Sequence, residues 1–365
     1  MKLEFYTSVG GTAFWNALVR DLQACGKQAA VVSVMDEPEY RRPRNLLGKL
    51  LLRWKLYAGM SLHTRRHLRQ PVRQPTCRIA TTNPFFLPGL VCGQTSADSD
   101  VRVVNLVFDL YPEAMELSGR RMSPGARQRL EAVTRRAVQQ CDATVFLGGQ
   151  LHDHALEKYG PARQSAVIPV GADARPFASS PPEMLPCEHP VQFLYCGLLG
   201  RMHEVETLAQ LGRGEPVPGC GWKFHATGAG TDALRGGWFQ LGGPLAPADW
   251  TGAMQSAQVG IVSVRPGAEK AVLPSKTYSA LAAGQAILAI CPQQSDLADL
   301  VAGQDCGWVV EPGDVDGLRR RIQEITTDRD TLLVKRRNAF RAGQQRYDSA
   351  TVAGHWVALV EGLFA

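Results

Sequence analysis

Short apolar runs alternate along the first half of this chain with longer stretches in which apolar residues recur at helical spacing. Residues 2–7, 29–34, 77–81, 102–108, 143–147 and 166–170 read as short buried strands, and 12–25, 124–140 and 150–159 as helices between them. Gly10-Gly11 makes the turn after the first strand, and Gly26 ends the first helix. A polar stretch, 171–190, carrying Pro176, Pro181, Pro182 and Pro186, then reads as an inter-domain linker. The alternation restarts with strands at 191–196, 222–226, 259–264, 286–290 and 308–310, and long helices close the chain from about residue 315. This pattern predicts an α/β protein with two doubly wound, Rossmann-like parallel sheets, one per domain, facing a cleft. The expected domains are 1–172, with an insertion at 41–75, and 173–365, the last helix returning to the first domain.

A length of 365 residues is enough for two domains of ordinary size. With 45% hydrophobic and 20% charged residues, the chain can fill a core and keep a soluble surface. No apolar run approaches the roughly 18 residues a membrane-spanning helix needs. The opening MKLEFYTSVGG puts Glu4 inside a strand-like run and has no cleavage-site pattern, so no secretory leader is expected. Nine cysteines stand singly, without a C-x-x-C pair. That usage fits reduced thiols in the cytoplasm and points to neither a disulfide framework nor a metal site.

Charge changes the picture locally. Residues 41–92 hold 11 Lys and Arg and no Asp or Glu, which leaves −5 for the remainder of a chain whose total is +6. Within that segment, 44–69 mixes cations with leucines and aromatics at helical spacing. Leu46, Leu47, Leu50, Leu51, Trp54 and Leu56-Tyr57 form one broad apolar stripe, flanked by Lys49, Arg53 and Lys55. A basic amphipathic helix of this kind fits an anionic membrane surface. It equally fits a helix packed on the first domain with its charges in water. Nucleic acid is not expected as a partner, since no base-reading motif accompanies the charge.

Four loops would face the cleft: Gly10-Gly11, the Gly-rich turn 195–203 carrying Gly197, Arg201 and His203, the turn 226–230 with Gly228 and Gly230, and 273–276. In the last, Pro274 stops the chain and Ser275 is a capping residue for the helix that follows. Lys276 then sits in the first helical turn, the wrong end of the helix dipole for a cation. An anion shared between that lysine and free backbone N–H groups would account for it; a solvated lysine on an ordinary helix is the bland alternative. Ala282, Ala283 and Gly284 keep the helix end thin. Asp109, at the end of a first-domain strand, is the candidate catalytic carboxylate. It is as readily read as a turn cap before Tyr111-Pro112. Of His154, His203 and His225, only His203 earns a site role, from its place in a Gly-rich turn.

In order and spacing, SAVIPVGAD (165–173), FLYCGLLGRMHEVETL (193–208), ATGAG (226–230), PLAPADWTGAMQSAQVGIVSV (244–264), LPSKTYSALAAGQAILAI (273–290) and CGWVVEPGDVDGL (306–318) resemble the nucleotide-sugar domain of GT-B glycosyltransferases, nearest the retaining family-4 type. The first half matches more loosely, through Gly10-Gly11, DLYPE (109–113) and 141–156. The resemblance implies transfer of a sugar from a nucleoside-diphosphate donor to a glycan or lipid-linked acceptor, with retention and with no essential metal or other cofactor. Arg201, Lys276 and the Gly-rich turns would neutralise the leaving diphosphate, with the base near Gly230 and Pro244-Leu245. The family's Glu-x7-Glu pair falls on Ala271 and Ser279, leaving Ser279 to hold a ribose hydroxyl and Glu269 to substitute after a loop shift. Its usual arginine falls on Leu198, with Arg201 as the stand-in.

These departures resemble a branch tied to surface polysaccharide or glycolipid assembly, which would place the protein in the cytoplasm or peripherally at the inner face of the membrane. Two alternatives keep the same fold: a catalytically inactive binding or scaffold protein, and a sugar-nucleotide epimerase.

Overall fold

The computed structural model describes residues 1–42, 45–94, 100–184, 190–272 and 274–365. Arg44, Pro186 and Leu273, which the sequence places in the basic segment, the linker and the turn before Pro274, lie outside the described residues. The chain divides into two compact units. One comprises 1–116, 120–169 and 349–365; the other comprises 117–119 and 170–348.

In the first unit the strands are β1 (Lys2–Tyr6), β2 (Val9–Gly10), β3 (Gln28–Val32), β4 (Met35–Asp36), β5 (Thr76–Thr81), β6 (Val101–Val107), β7 (Ala143–Phe146) and β8 (Ser165–Val167). Six of them form one parallel sheet in the order β3-β1-β5-β6-β7-β8, while β2 pairs separately with β4. The central strands are buried on both faces: every residue of β5 and β7 is buried, Arg78 and Thr144 among them. Thr12 caps the first helix, Ala13–Ala24, by accepting from Trp15 N at 3.2 Å. The closing helix, Ser349–Phe364, packs against it. Ser349 donates to Asp21 at 2.5 Å, and Trp356 meets the edge of Phe5 with ring centroids 5.6 Å apart.

The basic segment is helical from Leu46–Trp54, through a π turn at Lys55–Gly59, to Met60–Leu68. Its far end is tied down. Glu4, buried in β1, accepts from Tyr6 at 2.8 Å and lies 3.1 Å from the His67 ring. Burial alone would raise the Glu4 carboxyl, but bonds from His67, Lys2 and Tyr6 outweigh it and hold the group at about 2. Its near end is different: no residue of Leu46–Trp54 is buried. The apolar stripe is therefore not the side on which this helix packs: Leu46, Leu47, Leu50, Leu51 and Trp54 all stand in solvent. Leu56 alone of the stripe is half-buried.

In the second unit β9 (Val191–Leu198), β10 (Cys220–Thr227), β11 (Gln240–Gly242), β12 (Val259–Ser263), β13 (Ala286–Ile290) and β14 (Gly307–Val310) form a parallel sheet in the order β11-β10-β9-β12-β13-β14. Phe193 and Trp222 stack with centroids 4.8 Å apart at the centre of its core. The short edge strand β11 has no apolar run and is not legible in the sequence. Nor is the proline-rich stretch after 170 simply a linker. Phe177 is fully buried against Trp250, and Ala174 N donates to Asp348 at 3.0 Å.

The thin helix Lys276–Ala282 is approached from two sides. Toward the sheet, a Cβ on Gly260 would lie 2.9 Å from Ala280 Cβ; away from it, a Cβ on Gly343 of the helix Arg329–Gln345 would lie 2.5 Å from Ala282 N. The obstacle at Gly343 is backbone, which cannot swing aside. Gly343→Ala is expected to lower stability by about 1–3 kcal/mol through overpacking. Gly354→Ala, where nothing lies within 4 Å, should raise the melting temperature through helix propensity. Thermal denaturation of both variants checks the contrast.

Candidate active site

At the C-terminal end of β9 the backbone passes through Gly197, whose φ of 124° suits glycine alone. It then forms the loop to His203, and the residues beside it come from distant parts of the second unit. Lys276 reaches across from its helix to this loop. Its Nζ donates to the Tyr195 hydroxyl, lies 3.0 Å from the Leu198 carbonyl and 2.9 Å from His203 Nε2, and sits 4.0 Å over the Tyr195 ring. Gly197 is in van der Waals reach, a Cβ there falling 4.0 Å from Lys276 Cε. The ammonium therefore points into the loop and not into bulk water.

Burial sets the electrostatics. It lowers Lys276 to about 7, against a small opposing pull from Cys196. It also lowers His203 to about 3, with Lys276 adding to the effect, and raises the Tyr195 phenol. A neutral imidazole has one donor and one acceptor nitrogen. Gly200 N donates to His203 Nδ1 at 3.0 Å, which leaves Nε2–H facing Lys276 and suits the uncharged amine. A protonated Lys276 needs the other tautomer, with Nδ1–H turned to the Gly200 carbonyl at 3.3 Å. The pair is thus poised between two charge states and has no carboxylate partner among the described residues. An anion would complete it.

The other expected residues fall into place unevenly. Ser275 precedes the helix with no side-chain cap bond and with helical φ and ψ, so the capping role assigned to it is not observed. Its side chain is exposed, and Ser279 is half-buried one turn on. Arg201 donates to the Ser118 carbonyl, in the stretch 117–119 that clusters with this unit, and is not brought to Lys276 by any bond. Gly228 and Gly230 have a packing reason: a Cβ on either would come within 2.9 Å of the Leu199 carbonyl, to which Gly230 N donates. Leu245 is half-buried in the loop after β11. Gly10 and Gly11 belong to the first unit. There a Cβ on Gly10 would meet Ser33 Oγ at 2.5 Å, and Gly11 at φ 64° lies against Asp36.

Three participants were not legible in the sequence. Tyr195 and the Leu198 carbonyl hold Lys276, and Arg265 donates to the Arg201 carbonyl at 3.3 Å, adding a cation beyond β12. The departures from Glu-x7-Glu also acquire a geometry. Ala271 is fully buried, while Glu269 has a buried carboxylate oxygen, Oε2, with no hydrogen-bond partner. Ser263 Oγ, at the end of β12, is likewise buried and unpartnered. Among the described residues no group of three or more His, Cys, Asp or Glu is placed to hold a metal ion.

In the first unit Asp109 follows β6. The Thr82 hydroxyl accepts from Phe108 N and Asp109 N at 3.1 and 3.2 Å, and donates to the Asp109 carbonyl at 2.8 Å. The turn is capped by Thr82, which leaves the Asp109 carboxylate without a hydrogen bond among the described residues. Burial raises it to about 6. Burial also raises the neighbouring Tyr111, with Asp109 and then Tyr57 adding to the shift. Phe85 packs on Tyr111 with centroids 5.7 Å apart, so an aromatic wall stands beside the carboxylate.

Comparison with known proteins matches this geometry at the level of fold. The chain is similar to the sucrose-phosphate synthase of Thermosynechococcus elongatus, with a TM-score of 0.72, 16% identity, and 100% of this chain and 99% of that one covered. It is similar to Anabaena HepE, solved with UDP and glucose, with a TM-score of 0.67, 14% identity, and 99% and 100% covered. The chain thus has the GT-B fold of these glycosyltransferases. Among curated sequences, this GT-B chain is 23% identical over 322 residues to the probable glycosyltransferase WbjE of Pseudomonas aeruginosa, spanning 82% of this chain and 78% of that protein. No protein-family model matches it.

Proposed function

We propose that the protein transfers a sugar from a nucleoside-diphosphate donor to a glycan or lipid-linked acceptor, with retention, in the assembly of a surface polysaccharide or glycolipid. The observation that carries this reading is the caged Lys276 beside Gly197 and His203, a cation held at the strand ends of the second unit without an anion to pair with among the described residues. HepE, of like fold, was solved with UDP and glucose, which favours a uridine donor.

In this reading Lys276 and Arg201, with Arg265 behind them, neutralise the diphosphate as the bond from C1 to its oxygen breaks, and no metal or cofactor is required. Glu269 Oε2 and Ser263 Oγ are buried acceptors suited to hydroxyls of the donor, the part the lost carboxylates at 271 and 279 would have played. Asp109 orients the acceptor hydroxyl that bonds to C1.

A thermal-shift screen with UDP-, GDP-, dTDP- and ADP-sugars tests the reading. One donor should raise the melting temperature, as any ligand of the native state does. Donor turnover should then need an added acceptor. An absence of any shift across the panel would overturn the reading, and conversion without an acceptor would make the protein an epimerase.

A further inference from the structure

The helix Leu46–Trp54 turns its apolar side to solvent. At 100° per residue, Leu46, Leu47, Leu50, Leu51 and Trp54 fall within one arc, and each is at least 55% exposed, Leu46 as much as 77%. The opposite arc is half-buried at Gly48, Leu52, Leu56 and Gly59, and there Ser8 donates to the Leu56 carbonyl at 3.1 Å. The helix is thus seated through its small side, with five large apolar side chains left on the outside. Scattered exposed leucines are ordinary, but a continuous row on one helix marks a surface that something else covers.

Charge decides what covers it. We propose that this face docks on an anionic lipid bilayer. Lys49 and Arg53 flank the row and make no ion pair among the described residues. Arg65 and Arg66 follow further along the same helical segment, and 41–92 holds no acidic residue at all. Two cations are set aside: Lys55 pairs with Glu39 at 2.6 Å, and Arg41 pairs with Glu37. A second copy of the chain would bring the like charges of Lys49 and Arg53 to the same interface, which disfavours self-association through this face. A bilayer with anionic headgroups instead offers an apolar interior to the row and negative charge to the flanks. No helix among the described residues is long and apolar enough to cross a membrane, so the binding is to the surface. The inference stands on this face alone and is independent of the sugar-transfer reading.

Vesicle flotation with the full chain tests it. The protein should float with vesicles of three parts phosphatidylcholine to one part phosphatidylglycerol, and remain unbound with phosphatidylcholine alone. Each cation near an anionic surface is worth about fivefold in partitioning, so Lys49→Glu/Arg53→Glu should weaken binding by about 25-fold or more. Leu47→Ser/Leu51→Ser/Trp54→Ser should abolish it, whereas Val334→Ser, an exposed apolar site elsewhere, should not. All six sites are exposed, and an unchanged circular dichroism spectrum confirms that the variants fold. Flotation unaffected by the triple variant, or none for the wild type, would overturn the proposal. So would light scattering that showed a dimer which the triple variant converts to monomer.

Discussion

Lys276→Ala is expected to cut kcat/KM for the nucleotide-sugar donor by about 10²–10³-fold, the cost of removing one preorganised charge from a developing anion in an enclosed site. Affinity for free UDP should fall with it, since the same charge meets the product diphosphate. The effect carries a pH signature. With Lys276 at about 7 in the unliganded site, the charged form that binds a diphosphate is present below neutrality and is lost as pH rises through 7. Donor affinity should therefore decline from pH 6.5 toward 9 in the wild type, with proton uptake on binding, and Lys276→Ala should flatten that profile; calorimetry in two buffers of different ionisation enthalpy reads both.

Stability should move the opposite way. A lysine lowered from 10.5 in the unfolded chain to about 7 in the folded one disfavours folding below pH 10.5, most fully below 7, because the unfolded chain binds the extra proton. Lys276→Met should accordingly raise the melting temperature at pH 7 while cutting turnover as Lys276→Ala does. A variant that lost stability and kept donor affinity would show the lysine to be structural.

Asp109→Asn is the second large effect. The carboxylate is isosterically removed while Thr82 keeps the backbone of 108 and 109 in place, so a loss of about 10²–10³-fold in kcat with little change in donor KM is expected. Here too the cost is visible in the fold. The folded carboxyl is raised from 3.8 to about 6 by burial, so its favourable contribution is complete below pH 3.8 and lost as pH rises through 6. Above pH 6 the wild type carries a buried charge without a hydrogen bond, and the asparagine variant should be more stable by up to about 3 kcal/mol. Chemical denaturation at pH 4 and pH 7.5 checks the sign: the advantage should be large at the higher pH and small at the lower. Equal activity in the two proteins would remove Asp109 from the site.

Much of the fold was legible because its causes are local. A strand covered on both faces must be an apolar run, and 286–290 and 259–264 read as strands for that reason alone; the structure has them at Ala286–Ile290 and Val259–Ser263. The strand β11 escaped because Gln240–Gly242 lies at the sheet edge, partly in water, and needs no apolar run. Phe177 escaped because proline and polar neighbours obscure a single anchoring aromatic.

The amino-acid sequence by itself determined the alternation that builds two parallel sheets, the lysine at a helix start, and a helix with cations flanking a leucine row. Periodicity fixes which side chains share a face, but the same row suits a core and a membrane, and only the packed structure decided that it points outward. Likewise Lys276 lies 81 residues from Tyr195 and 73 from His203 in the chain. Their meeting depends on how the fold of the second unit brings the start of the helix after Pro274 to the end of β9, and the lowered pKa of Lys276 depends on the burial that results. Propensity and spacing act over a few residues. Desolvation and hydrogen bonding act over a few ångströms, whatever the distance in sequence, and they belong to the tertiary structure.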